Sequence, residues 1–264
     1  MEYDIDKIKQ SLRRKLDNYR YEHTIGVAYT ATSLAMRYGE DIKKAEVAGL
    51  LHDCAKCIPD DKKLAKCIKH KINITDIEKE RPYLLHSKLG AFYAMKKYDV
   101  YDKDIINSIL NHTTGCPNMT LLEKIVFVAD YIEPGRNKAK NLDEIRKIAF
   151  EDLDMAVYII LRDTLDYLSK KTGNIDDMTQ KAYEYYSNLI ANRDDNCNQK
   201  DDSCSKDDSC NKDDSCNKED SCNKDDSCNK EDSCNKDDSC KKESSCNIDD
   251  SCNKNNSCNI ESKE

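Results

Sequence analysis

Apolar residues at the start of the chain recur at three- and four-residue intervals, as in Ile5, Ile8, Leu12 and Leu16, which places them along one stripe of an α-helix. The same spacing predicts further helices at 20–38, 42–53, 60–70, 84–98, 102–112, 119–132, 141–150, 152–171 and 176–192, and strand-like alternation is nearly absent. The breakers agree, because Gly39, Pro59, Pro82, Gly115, Pro117, Pro134, Gly135 and Gly173 all fall between these stretches. The expected fold class is all-α. Beyond the last predicted helix the pattern stops, and a six-residue unit close to Asp-Asp-Ser-Cys-Asn-Lys repeats with a cysteine at every sixth position from Cys204 to Cys258. Such a segment has too little apolar surface to offset its chain entropy. The reading is therefore one globular domain over residues 1–192 and a disordered, acidic, cysteine-rich tail over 193–264.

Charge changes the picture only by being unevenly placed. Residues 197–264 carry the whole net charge of -8, and the remainder balances acid against base, with no basic stripe suited to a nucleic-acid backbone. Nucleic acid is not an expected partner. No apolar run approaches the roughly 20 residues of a membrane span, and the N-terminus lacks the basic-then-apolar plan of an export signal, so no membrane partner and a cytoplasmic location are expected. Eleven of the 15 cysteines lie in the tail, and in a reducing compartment they read as free thiols. Five residues between thiols make a poor chelate beside the close pairs of zinc sites, so a solvated tail is a simpler reading than a metal store. Cys54-x-x-Cys57 lacks a second pair, and Cys54, Cys57, Cys67 and Cys116 read as packed or exposed thiols. A stripe of Tyr183, Tyr185 and Tyr186 suits a core or an interface and is given no function.

The candidate chemistry lies in the histidines. Of five, His23, His52, His86 and His112 stand in predicted helices or at their ends, while His70 sits in a polar stretch and reads as a surface residue. His52 and Asp53 close an apolar helix, where burying them costs desolvation unless something pairs with them. A divalent cation would do so, since neutral imidazole and carboxylate both bind iron, manganese and zinc. Asp130 ends another apolar helix in the same way. Each residue alone suits a hydrogen-bonded core or helix-end position; together they suit the di-metal sites that helical bundles build from inward side chains.

His23, then His52-Asp53, then Asp130 resembles the spaced H…HD…D signature of HD-domain metal-dependent phosphohydrolases, and His86 with His112 resembles the subset that binds two metals. More narrowly, Arg20-Tyr21-Glu22-His23-Thr24, His52-Asp53-Cys54-Ala55-Lys56, His112-Thr113-Thr114-Gly115 and Ala129-Asp130-Tyr131-Ile132-Glu133-Pro134-Gly135-Arg136 resemble the YqeK family. Its members are described as symmetrical bis(5'-nucleosyl)-tetraphosphatases, di-iron enzymes that split diadenosine tetraphosphate into two ADP. The resemblance spans roughly residues 1–192 and does not lead one to expect the tail. It implies an HD-domain helical bundle holding two metal ions, expected to be iron. Asp53 would bridge them, His23, His52 and Asp130 would complete one site, and His86 and His112 the other. It further implies a metal-activated hydroxide as nucleophile and a dinucleoside polyphosphate as substrate. Arg20, Lys56, Thr113 and Arg136 are the expected substrate-binding residues, with Lys56 joining Asp53 in catalysis. For Arg20 and Lys56 a solvated charge or salt bridge stands as the alternative. Competing readings are a phosphohydrolase of another nucleotide, an iron oxygenase, and a metal-binding or nucleotide-sensing protein. The oligomeric state stays open, a homodimer among the options.

Overall fold

The computed structural model describes residues 3–139, 141–171 and 176–201, and the expected tail lies outside the described residues apart from its first few positions. Among the described residues there are eleven α-helices and no strands. They are α1 (Ile5–Arg13), α2 (Asn18–Tyr38), α3 (Ile42–Leu51), α4 (Asp60–Lys69), α5 (Asp76–Glu80), α6 (Leu85–Lys97), α7 (Lys103–Asn111), α8 (Leu121–Ile132), α9 (Leu142–Glu151), α10 (Leu153–Lys171) and α11 (Asp177–Asp201).

Most starts are fixed by a side chain that accepts from an otherwise unpaired N–H of the first turn: Asp4, Asp17, Asp41 and Asp102 act this way, and Thr75 and Thr120 form full capping boxes with Glu78 and Glu123. The periodicity missed α5, which is short and held chiefly by its capping box, and the 3-10 turn Pro82–Leu84 that leads into α6. Helix α11 runs nine residues past its predicted end at 192. Residues 193–201 contain neither Gly nor Pro, and Arg193 pairs with Asp152 and Asp154, so the helix is anchored beyond its last apolar contact.

Helix α8 is the centre of the bundle. Ile125, Val126, Phe127, Val128 and Ala129 are all buried, because α2, α7 and α10 pack around it. Helix α3 lies against α2, α7 and α8, and it approaches α2 closely: a Cβ on Gly49 would stand 2.7 Å from Ala28 Cα. Only the absence of a side chain at Gly49 lets the two backbones approach so nearly. Because α3 ends at Leu51, the pair His52-Asp53 leaves the helix and enters a tight turn, in which Cys54 N–H donates to Leu51 O at 3.2 Å and Lys56 N–H to Asp53 O at 2.9 Å. The predicted helix 42–53 therefore stops two residues early, and the turn carries these polar groups into the middle of the bundle. No described helix is long and apolar enough to cross a membrane.

Candidate metal centre

Five elements bring the six candidate ligands together: α2 supplies His23, the turn after α3 supplies His52 and Asp53, α6 supplies His86, the end of α7 supplies His112, and α8 supplies Asp130. Asp53 is the hub. Its Oδ1 lies 3.3 Å from His86 Nε2 and 3.5 Å from His112 Nε2, while its Oδ2 lies 3.5 Å from His52 Nε2 and 4.0 Å from His23 Nε2. Asp130 Oδ1 stands 3.0 Å from His23 Nε2 and 3.8 Å from His52 Nε2. The four imidazoles and Asp53 are buried.

All four rings are held by the other nitrogen. Nδ1 of His52 meets Gly49 O at 2.7 Å, that of His86 meets Tyr83 O at 2.6 Å, and that of His112 meets Ile109 O at 2.8 Å. Nδ1 of His23 meets Glu133 Oε1 at 3.0 Å. Carbonyl and carboxylate oxygens only accept, so each Nδ1 donates, and in the neutral form of each ring the lone pair sits on the Nε2 that faces the carboxylates. Four lone pairs and two carboxylates aimed at one point are the donor set of borderline cations. Two polar atoms there, His52 Nε2 and Asp53 Oδ1, are buried without a hydrogen bond. Burying an unsatisfied polar atom costs about 1–3 kcal/mol, and a cation between them would remove that cost. The groups His23, His52, Asp130 and His52, Asp53, His112 are each close enough to hold one ion.

The electrostatics agree with this donor set. Burial alone would raise the Asp53 carboxyl, but the imidazoles of His52, His112 and His86 around it outweigh that and hold the group well below the usual carboxylate range. Burial likewise works against ionised Asp130, and His23, His52 and Arg136 overcome it, so this carboxyl too is held far down. Burial, with the charge of Lys56, pushes His86 well below the ordinary imidazole value and keeps its lone pair free.

Three cations and a hydroxyl surround the cluster. Arg20 donates to Asp53 Oδ2 at 2.7 Å, Arg136 to Asp130 Oδ1 at 2.6 Å, and Lys56 Nζ lies 3.0 Å from His86 Nε2. Thr113 Oγ1 lies 3.1 Å from His86 Nε2 and 3.0 Å from His112 Nε2. The structure thus gathers all ten candidate residues at one place. His70 stands apart, stacked on Phe92 with ring centroids 4.4 Å apart.

Two contributors escaped the sequence reading. Glu133 holds His23 and also accepts from Gly135 N–H at 2.6 Å, inside a space that exists because Gly26 has no side chain, since a Cβ there would stand 2.6 Å from Glu133 Oε2. Arg146 of α9 donates to Ile132 O at 3.0 Å, Glu133 O at 3.2 Å and Arg136 O at 2.9 Å, fastening the turn that carries Arg136. The run from Ala129 to Arg136 had placed Glu133 in a motif, yet only the fold shows what its carboxylate touches.

An all-helical bundle around a cluster of this kind defines an HD-domain hydrolase, and the HD domain model matches residues 20–135. A Bacillus subtilis protein named "Bis(5'-nucleosyl)-tetraphosphatase, symmetrical" is 38% identical over 174 residues, covering 66% of this chain and 92% of the relative. A Halalkalibacterium halodurans protein of the same name is 41% identical over 177 residues, covering 67% of this chain and 94% of the relative. A crystal structure from Clostridium acetobutylicum, described as a "predicted HD superfamily hydrolase involved in NAD metabolism", superposes with a TM-score of 0.69 at 41% identity, covering 72% of this chain and all of that one. The chain belongs to the symmetrical bis(5'-nucleosyl)-tetraphosphatase, or YqeK, family of HD-domain hydrolases.

Proposed function

We propose that this chain hydrolyses diadenosine tetraphosphate symmetrically into two ADP, with two iron ions held by His23, His52, Asp53, His86, His112 and Asp130. The observation that carries this reading is the common orientation of the four imidazoles, each pinned through Nδ1 with Nε2 facing Asp53. Asp53 suits a bridging role because its two oxygens face different histidine pairs. Metal ions bound there would supply Lewis acidity towards a phosphate oxygen and a water ionised near neutral pH.

The remaining roles belong to side chains of the chain itself. The tetraphosphate is strongly anionic, and Arg20, Lys56 and Arg136 present three positive charges around the cluster from three directions. Burial lowers the Lys56 ammonium while Asp53 and Asp130 oppose that, so this cation is both desolvated and aimed at the centre. Thr113 offers a hydroxyl on the side of His86 and His112. A cavity of about 720 Å³ lies against Asp130 and Arg136 and is walled by Tyr19, Tyr131 and Asn137. That space suits one nucleoside, with tyrosine faces for a base. Two ADP arise only if attack falls at the second phosphorus from one nucleoside: the bond to the bridging oxygen breaks, one ADP leaves with that oxygen, and the other keeps the oxygen of water.

The test is a substrate panel resolved by chromatography, run with the metal-loaded chain. Two ADP from diadenosine tetraphosphate is the expected result; ATP with AMP would overturn symmetrical attack, and turnover of mononucleotides alone would move the substrate class. His52→Ala and Asp53→Ala should each abolish turnover and lower the metal content, whereas His70→Ala should do neither. Elemental analysis should find close to two irons per chain.

A further inference from the structure

Away from the metal centre, four lysines converge on a cavity of about 380 Å³: Lys15 after α1, Lys62 and Lys66 on α4, and Lys97 at the end of α6, with Tyr93 and Tyr98 between them. The cavity is lined by no carboxylate, and among the described residues none of the four lysines has an acidic partner within ion-pair distance. Several lysines elsewhere are paired with an acid, Lys9 at 2.8 Å from Glu46, Lys44 at 2.9 Å from Asp102, Lys63 at 2.8 Å from Asp60, Lys88 at 2.7 Å from Glu78 and Lys124 at 2.7 Å from Asp154, while others stand singly on the surface; what marks these four is that they share one cavity. Lys62 and Lys66 are four residues apart on one helix, a like-charge spacing that is unfavourable without a counter-charge.

Two of these ammonium groups are also held in place. Lys97 Nζ sits 3.3 Å above the centre of the Tyr93 ring. Lys15 Nζ donates to Ser11 Oγ at 2.8 Å and to Tyr98 Oη at 3.2 Å. Held positive charges around a concave space, with aromatic and hydroxyl groups but no acid, suit a compact anion of several charges. The site is separate from the metal centre. It shares none of the six candidate ligands, and its wall from Cys54 to Pro59 is the outer side of the turn whose inner side carries Asp53 and Lys56.

We infer that this cavity is a second anion site, which binds the phosphate chain of a nucleoside diphosphate or of inorganic pyrophosphate outside the catalytic centre. A ligand there presses on the turn that positions Asp53 and Lys56, which gives the site a physical route to the active centre. The inference stands apart from the proposed substrate, because its readout is binding rather than turnover.

The test is calorimetric titration of the metal-loaded full chain with inorganic pyrophosphate and, separately, with ADP. Two classes of site are expected in the native chain. Lys62→Glu with Lys66→Glu should weaken one class by about tenfold or more, since two charge-assisted contacts become repulsions, and should leave hydrolysis without added pyrophosphate unchanged. Lys43→Glu with Lys69→Glu carries the same change of charge outside the cavity and should keep both classes. Retention of both classes in the Lys62/Lys66 variant would overturn the inference, as would an equal loss in the control. Tighter binding of ADP than of pyrophosphate identifies a nucleotide as the ligand, and equal binding identifies the phosphate chain alone.

Discussion

His23 differs from the other three histidines in what holds it. His52, His86 and His112 each donate to the carbonyl three residues earlier, a partner that no substitution removes, whereas His23 donates to a side chain, the Glu133 carboxylate. Glu133→Ala should free the ring to rotate or change tautomer, and metal affinity should fall by about 10–100-fold, the usual effect of losing such a partner. Competition with a chelator measures it, and unchanged affinity would refute the role. Glu133→Gln keeps an oxygen for His23 and should recover most of the loss. Gly26→Ala should act in the same direction, because its new Cβ would stand 2.6 Å from Glu133 Oε2 and push the carboxylate away.

At the scale of elements, the centre depends on how closely α2 approaches α3. His23 rides on one and His52 follows the other, so the separation of the two helices sets the separation of the two rings. Gly49→Ala would set a Cβ 2.7 Å from Ala28 Cα and 3.1 Å from Ala28 N, both backbone atoms that cannot turn aside. Overpacking of this kind costs about 1–3 kcal/mol, and a fall in Tm of about 2–4 °C per kcal/mol should follow, together with reduced hydrolysis. Gly90→Ala is the control: its nearest neighbours would be Ile109 Cγ2 at 3.4 Å and His52 O at 3.5 Å, ordinary contact, and alanine is the better helix former. Thermal melting of both variants should show destabilisation at Gly49 only.

On the scale of the whole molecule, the six candidate ligands lie between residues 23 and 130, and the described fold closes with α11 at Asp201. A chain ending at Asp201 should therefore hydrolyse diadenosine tetraphosphate at the rate of the full chain. A tenfold loss in a steady-state assay would show that the repeats contribute to the chemistry. Because the ions would bind only the folded centre, removing them with a chelator should lower Tm, and restoring them should recover it in proportion to the logarithm of free metal concentration.

The hydrophobic period and its breakers were sufficient for the all-helical class and for nearly every helix, because helix formation and amphipathic burial are local in sequence. The candidate ligands were legible as well: His52-Asp53 and Asp130 are polar groups at or near the end of an apolar helix, a conflict visible in one dimension. Tertiary structure alone decided the rest. That Asp53 turns its two oxygens towards different histidine pairs, that Glu133 reaches 110 residues back to His23, and that Lys15, Lys62, Lys66 and Lys97 share one cavity all depend on packing between helices distant in the chain. No local pattern encodes such distances, since they are set by the close approach of α2 and α3 and by the turn that carries His52 and Asp53 inward.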